Sequence, residues 1–304
     1  MVLEKMKLEQ METLLAIIDE GSFERAAAAL GISAPAVSQR IKALEHSTGR
    51  VLVRRESPVT ATEAGEVIAQ AARRVALLQA ETEAALDRRL ASVPLNVAIN
   101  ADSLATWFPP VLREVATWDS ASILMRIEDE SHSLELLRSG DCLGAVTRES
   151  KPVSGCDSVL LGTLHYVAVA APWLVEKYTL NKQIDWARMP ALRFGPRDYL
   201  QDRDLVGRLD NPPKHRRVSI VPSMGAFLQS IEAGLGWAIV VDTQAKELIR
   251  RGVAVQLDDK IVSTDLYWQH WRLESPLLEL LTSAVTRAAR KNIPAHCAFS
   301  QPRR

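Results

Sequence analysis

The stretch FERAAAALGISAPAVSQRIKALE, residues 23–45, restricts what the chain can fold into more tightly than any other. Gly31 suits a left-handed helix C-cap, so the chain turns sharply after Leu30. Ser33 then caps a second helix, and Pro35 sits in its first turn, where no backbone donor is needed. Ser22 caps the preceding helix, although Arg25 at its third position prevents a full capping box. Val37, Ile41 and Leu44 form one apolar stripe that must face inward. Beyond the cap Ser33, that leaves Ala34, Pro35, Ser38, Gln39 and Lys42 outward, with Arg40 at the margin. Two short helices joined by a glycine turn are a helix-turn-helix. A helix presented this way fits the major groove of double-stranded DNA, where Gln reads adenine and Arg or Lys reads guanine or holds phosphate.

Charge supports this only locally. The 304 residues carry 37 Lys plus Arg against 37 Asp plus Glu, so the whole-chain balance predicts no partner. Within the motif region, Arg40, Lys42, Arg50, Arg54 and Arg55 outnumber Glu45 and Glu56.

Residues 1–90 read as mostly helical, with apolar stripes at Leu8, Met11, Leu15 and Ile18 and again at Phe23, Ala26, Ala27 and Leu30. TGRVLVRRESPVTAT interrupts them with two short extended pieces around a Pro turn. From Glu63 to about residue 90 the pattern predicts one long helix, roughly 40 Å at 1.5 Å per residue. Its Val67, Ala71, Val75 and Leu78 suit packing against another helix. From SVPLNVAIN onward, predicted strands at 95–100, 123–128, 144–147, 166–170, 192–194, 217–221 and 237–241 alternate with helices, among them 107–117, 133–138 and 225–233. Such alternation implies parallel β/α layers.

GSFERAAAALGISAPAVSQRIKALEHSTGRVLVRR, followed by TATEAGE, resembles the winged helix-turn-helix of LysR-type transcriptional regulators. The resemblance extends over essentially the whole chain. It implies an α+β multidomain architecture: a winged helix-turn-helix at 1–62, a linker and dimerisation helix at 63–91, and a two-lobed α/β effector domain of the periplasmic-binding-protein kind at 92–304. Lobe I would take about 92–164 and 265–304, and lobe II about 165–264. The resemblance also implies that 51–62 is the wing, with Arg54 and Arg55 on phosphate or the minor groove. NADSLATWF, EDE at 128–130, GAVT at 144–147, YW at 267–268 and LRFGPRDYLQDRDL at 192–205 are similar to the ArgP/LysG branch of that family. Members respond to lysine and arginine, so the branch implies an activator of a basic-amino-acid exporter gene. It implies a homodimer or homotetramer on a two-fold operator, and a cleft whose closure on effector permits contact with RNA polymerase.

The chemistry of such an effector, L-lysine or L-arginine, narrows the residues. It carries an α-ammonium, an α-carboxylate and a distal cation, so an enclosing cleft must offer partners at both ends. Asp102, Ser103 and Leu104 follow a strand, at the end where parallel sheets bind ligands and where a helix start offers free N–H groups. Ser103 and the neighbouring backbone suit the carboxylate, and one acid suits each ammonium. Glu128, Asp129 and Glu130 end the second strand, while Asp198, with Asp202 and Asp204, follows a strand of the other lobe. Glu128 and Asp198 form the leading pair, Asp102 and Asp129 the next. Thr147 and Ser223 also end strands and can hydrogen-bond the ligand. Each acid taken singly also reads as a solvated surface group or a helix cap.

No enzyme is expected. GLGWA from Gly234 lacks the third glycine of a dinucleotide fingerprint, and no GxSxG, P-loop or HExxH occurs. The six histidines show no metal-ligand spacing, so neither metal nor cofactor is expected. Cys142, Cys156 and Cys297 are widely spaced and odd in number, the usage of a reducing compartment. The N-terminus does not read as a signal peptide, and no apolar run is long enough to span a membrane, so the cytoplasm is expected. The alternatives to export control are an amino-acid solute-binding protein and a regulator of other arginine or lysine genes.

Overall fold

A computed structural model describes residues 6–86, 93–119, 121–128, 130–196, 198–209 and 216–294. Asp129 and Cys297 lie outside the described residues, as does the expected end of the long helix at 87–90.

The N-terminal unit comprises α1 (Leu8–Glu20), α2 (Phe23–Leu30), α3 (Ala34–Thr48) and a hairpin of β1 (Val53–Arg54) and β2 (Thr60–Ala61). Its three helices each end on a left-handed glycine, Gly21, Gly31 and Gly49. Ser22 accepts from Arg25 N, and Ser33 accepts from Ala36 N, as the capping pattern predicts. Leu14, Ile17, Ala26, Val37, Ile41, Leu44 and Leu52 close one core with no solvent exposure.

α4 (Glu63–Leu86) follows directly, about 36 Å long for its 24 residues. Thr62 Oγ1 accepts from Gly65 N and donates to Val51 O, anchoring the helix start to the base of the wing. A Cβ on Gly65 would lie 2.0 Å from the Leu52 carbonyl oxygen, so only glycine allows this approach.

The remainder is built of β3 (Val93–Ile99), α5 (Ala101–Thr106), α6 (Pro109–Val115), β4 (Ala121–Ile127), α7 (Glu130–Ser139), β5 (Gly144–Thr147), β6 (Cys156–Ala170), α8 (Pro172–Lys177), a hairpin of β7 (Thr179–Leu180) and β8 (Gln183–Ile184), β9 (Ala191–Arg193), α9 (Leu200–Val206), β10 (Val218–Ile220), α10 (Met224–Glu232), β11 (Ala238–Val241), α11 (Asp242–Arg250), β12 (Val255–Gln256), β13 (Val262–Trp271) and α12 (Pro276–Asn292). The main sheet runs β11-β6-β13-β5-β3-β4, with β12 also on β6. Trp107, Trp237, Trp268 and Tyr166 fill its core.

Two expectations need correction. The sheet is mixed rather than parallel: β3 pairs in parallel with β4 and β5, but β13 is antiparallel to both β5 and β6. The reason is topological, because β6 carries the chain out of the first half and β13 brings it back alongside. Thr163 and Asp265 face each other on this pair, and the Thr163 hydroxyl donates to the Asp265 carboxylate at 2.6 Å. The helix expected at 107–117 is α6 at 109–115, started by Pro109 and Pro110, and a separate short helix, α5, capped by Asn100, precedes it. β13 was not predicted as a strand, since Ser263, Asp265, Gln269 and His270 dilute its apolar pattern.

Candidate nucleic-acid interface and effector cleft

On α3, the polar side is outward. Ser33, Pro35, Gln39 and Lys42 are exposed, and Ala34, Ser38 and Arg40 are partly so, while Val37, Ile41 and Leu44 hold the helix from behind. Arg40 is not wholly free: its Nη2 lies 3.2 Å from Glu9 Oε2 on α1, consistent with its marginal position. Arg54 and Arg55 are exposed on the hairpin. Arg55 stacks over the Phe23 ring, 5.4 Å from its centroid, a contact that orients the guanidinium and that sequence spacing does not reveal. Glu45 belongs to the structure, since its Oε1 accepts from Leu52 N at 2.9 Å.

The effector candidates gather at the C-terminal ends of parallel strands. β3, β4 and β5 end at Ile99, Ile127 and Thr147, and β9 and β10 end at Arg193 and Ile220. α5 and α10, which follow β3 and β10, lie against each other and bring the two halves together. Asn100 Oδ1 accepts from Ser103 N at 3.0 Å. Ser103 is fully buried and its Oγ has no hydrogen-bond partner, a costly state unless a ligand or water completes it. Asp102 and Leu104 are partly buried beside it. Ser223 begins α10 exposed, with its hydroxyl not used as a cap.

Other candidates have local employment. Thr147 is buried and its Oγ1 accepts from Glu149 N at 3.1 Å. Asp198 accepts from Phe194 N through one carboxylate oxygen and from Leu200 N through the other. Glu128 is partly buried, and its backbone N–H bonds the Ile99 carbonyl, which ties the ends of β3 and β4 together. Glu130 begins α7. Asp202 is clamped between Arg193 and Arg216, and Asp204, fully buried, is paired with Arg208 and Lys260. The Arg208 guanidinium also lies 4.1 Å over the Trp186 ring. The alternation of acids in DYLQDRDL does not separate them: Arg193, Arg216 and Lys260 lie on other segments, and Arg208 pairs with Asp204 from four residues on, just past the end of α9.

Burial pushes the Cys142 and Cys156 thiols up to about 12, so both are inert apolar side chains. No cluster of metal-ligating side chains occurs among the described residues, and none of their helices is long and apolar enough to cross a membrane.

Residues 8–66 match the bacterial regulatory helix-turn-helix protein, lysR family, and residues 88–290 match the LysR substrate binding domain. The chain is 59% identical over 280 residues to the lysine export transcriptional regulatory protein LysG of Corynebacterium glutamicum, covering 92% of this chain and 97% of that protein. The structure of full-length LysG from Corynebacterium glutamicum with bound effector arginine matches at TM-score 0.81 and 56% identity, over 95% of this chain and 99% of that one. ArgP from Mycobacterium tuberculosis matches at TM-score 0.82 and 37% identity, over 94% and 98%. An outward recognition helix, an arginine-bearing wing and a two-part β/α domain thus occur together with family matches at both ends, and the chain belongs to the LysR family of transcriptional regulators.

Proposed function

We propose that the protein activates transcription of a basic-amino-acid exporter gene when L-lysine or L-arginine occupies the cleft between α5 and α10. The observation that carries this reading is the full-length likeness to an arginine-bound LysG at 56% identity. The geometry supports it independently. Ser103, buried with a free hydroxyl at the start of α5, suits the ligand carboxylate. Asp102, Glu128, Asp129, Glu130 and Asp198 are the acids proposed for the two ammonium groups, with Thr147 and Ser223 as hydrogen-bonding neighbours.

Ser33, Ala34, Pro35, Ser38, Gln39, Arg40 and Lys42 are proposed to enter the operator's major groove, with Arg54 and Arg55 on its backbone. Val67, Val75 and Leu78 stand exposed on one side of α4, which supports pairing of two linker helices. The division proposed is a DNA-binding unit at 1–62, a linker at 63–91 and an effector domain beyond, with the crossing near 164–165 and 264–265. Two such pairs would form a tetramer, working in the cytoplasm and contacting RNA polymerase. Because a ligand shifts a conformational equilibrium only by its differential affinity, the effector must bridge both lobes.

The test is titration calorimetry of the purified full-length protein with lysine, arginine and a neutral amino acid. Saturable heat is expected from a basic amino acid alone, with a changed operator footprint at the same concentration. Equal or absent heat from all three would defeat the reading.

A further inference from the structure

The loop after α7 touches the linker helix at a charged joint. Arg73 Nη2 on α4 lies 2.5 Å from Asp141 Oδ1, and Nη1 donates to the Ser139 carbonyl at 3.1 Å. The same Nη2 lies 2.6 Å from Asp19 Oδ1 on α1. One guanidinium therefore grips the effector domain and the DNA-binding unit together. Gln70 adds a bond from Nε2 to the Arg138 carbonyl at 2.8 Å. Gly140, at φ +78, takes the left-handed turn that brings the loop onto α4, against Gln70 and Arg73.

The loop's other connections make this joint more than a surface pair. α7 begins at Glu130, beside the end of β4, and runs ten residues, about 15 Å, to Ser139. After Asp141 the chain enters β5, which ends at Thr147. Both elements flanking Ser139–Gly140–Asp141 thus reach the proposed cleft at their far ends. Between the wing, α4 and this loop lies an open cleft of about 390 Å³, lined by Ile18, Arg54, Val59, Ala69, Arg73 and Asp141. Burial raises the Asp19 carboxyl above its ordinary value, Arg73 lowers it, and Asp141 raises it again. Two acids on one base, partly desolvated, are a poor source of stability but a definite geometric constraint, because the planar guanidinium fixes its partners' directions.

We propose that Arg73 is a positioning residue: α7 and β5 carry effector-dependent movement to Ser139–Asp141, and Arg73 transmits it to α1 and so to the recognition helix. This rests on the effector reading of the cleft above. The experiment compares the full-length wild type with Arg73→Gln, Asp141→Asn and Asp141→Glu. Three quantities are measured: effector heat by calorimetry, operator affinity without effector, and effector-induced change in footprint and transcript yield with purified polymerase. Arg73→Gln and Asp141→Asn should keep effector heat and basal operator affinity within about threefold. Their effector response should fall at least about fivefold, the lower end of ordinary coupling between sites. Asp141→Glu, which keeps the carboxylate, should restore most of it. Should Arg73→Gln fail to fold, Asp19→Asn replaces it with the same expectation. Normal effector heat with an undiminished response in these variants would overturn the proposal alone, whereas no effector heat in the wild type would overturn the effector reading and the joint with it.

Discussion

The proposed recognition helix and the proposed effector cleft use polar residues in opposite ways. On α3, Ser33, Gln39 and Lys42 stand exposed with their side chains left to solvent, apart from the cap that Ser33 supplies. In the cleft, Asn100, Thr147 and Asp198 each hold a backbone N–H in place. DNA is a large external partner, so its interface can be a preformed surface already solvated by water. A small ligand must be enclosed, and an enclosed polar group without a partner is costly whenever the ligand leaves. Residues of the proposed cleft are therefore tied into the fold first, whereas Ser103 Oγ, buried and without a hydrogen-bond partner, is left for the proposed ligand.

That contrast can be broken most directly at the core. Leu44→Ala removes a fully buried side chain behind the recognition helix and should cost about 2–5 kcal/mol of the N-terminal unit's stability. Operator binding should be lost in a mobility-shift assay while calorimetric effector heat persists; loss of both would mean that the two regions do not stand apart. Ser103→Ala should reduce effector affinity by about 1.5–3 kcal/mol, as for a bond to a charged group, with little change in melting temperature because no protein partner is abandoned. A lowered melting temperature with unchanged affinity would return Ser103 to a structural role.

Gln39→Ala should weaken binding to the specific operator by about 1–3 kcal/mol with little effect on random DNA, as a base contact does. Arg40→Ala should cost less, its guanidinium already being engaged by Glu9. Equal losses on operator and random DNA would demote Gln39 to a phosphate contact. Asp198→Asn tests a proposed effector residue that also accepts from two backbone N–H groups. Removing its charge should cost about 1 kcal/mol of stability through the bonds to Phe194 N and Leu200 N. A stability loss without any loss of effector affinity would leave it as a cap alone. The smallest effect belongs to the thiols. With values near 12, Cys142 and Cys156 stay protonated at pH 8, and mass spectrometry after alkylation of the native protein should find both unlabelled.

The N-terminal unit was legible because its determinants are local. Gly31, Ser33 and Pro35 dictate a break and a restart within five residues, and the stripe Val37, Ile41 and Leu44 dictates which side faces out. The Thr62–Gly65 contact was visible only as a resemblance, and the structure supplies its cause in the Leu52 carbonyl. The cleft was half legible. Strand ends could be located from alternation, but Asp198, Asp202 and Asp204 looked equivalent in sequence. Their partners, Arg193, Arg216, Arg208 and Lys260, separate them only once the chain has folded.

By itself the sequence determined the helix-turn-helix, the outward face of α3 and the strand–helix alternation of the rest, though not the returning strand β13. Those follow from periodicity and capping, whose range is a few residues. Tertiary structure alone decided the mixed sheet, which acids remain available to a ligand, and the meeting of Asp19, Arg73 and Asp141 on three separate elements. Ion pairing and strand direction depend on distance in space, and residues 54 and 68 positions apart along the chain announce nothing of their contact until packing brings them together.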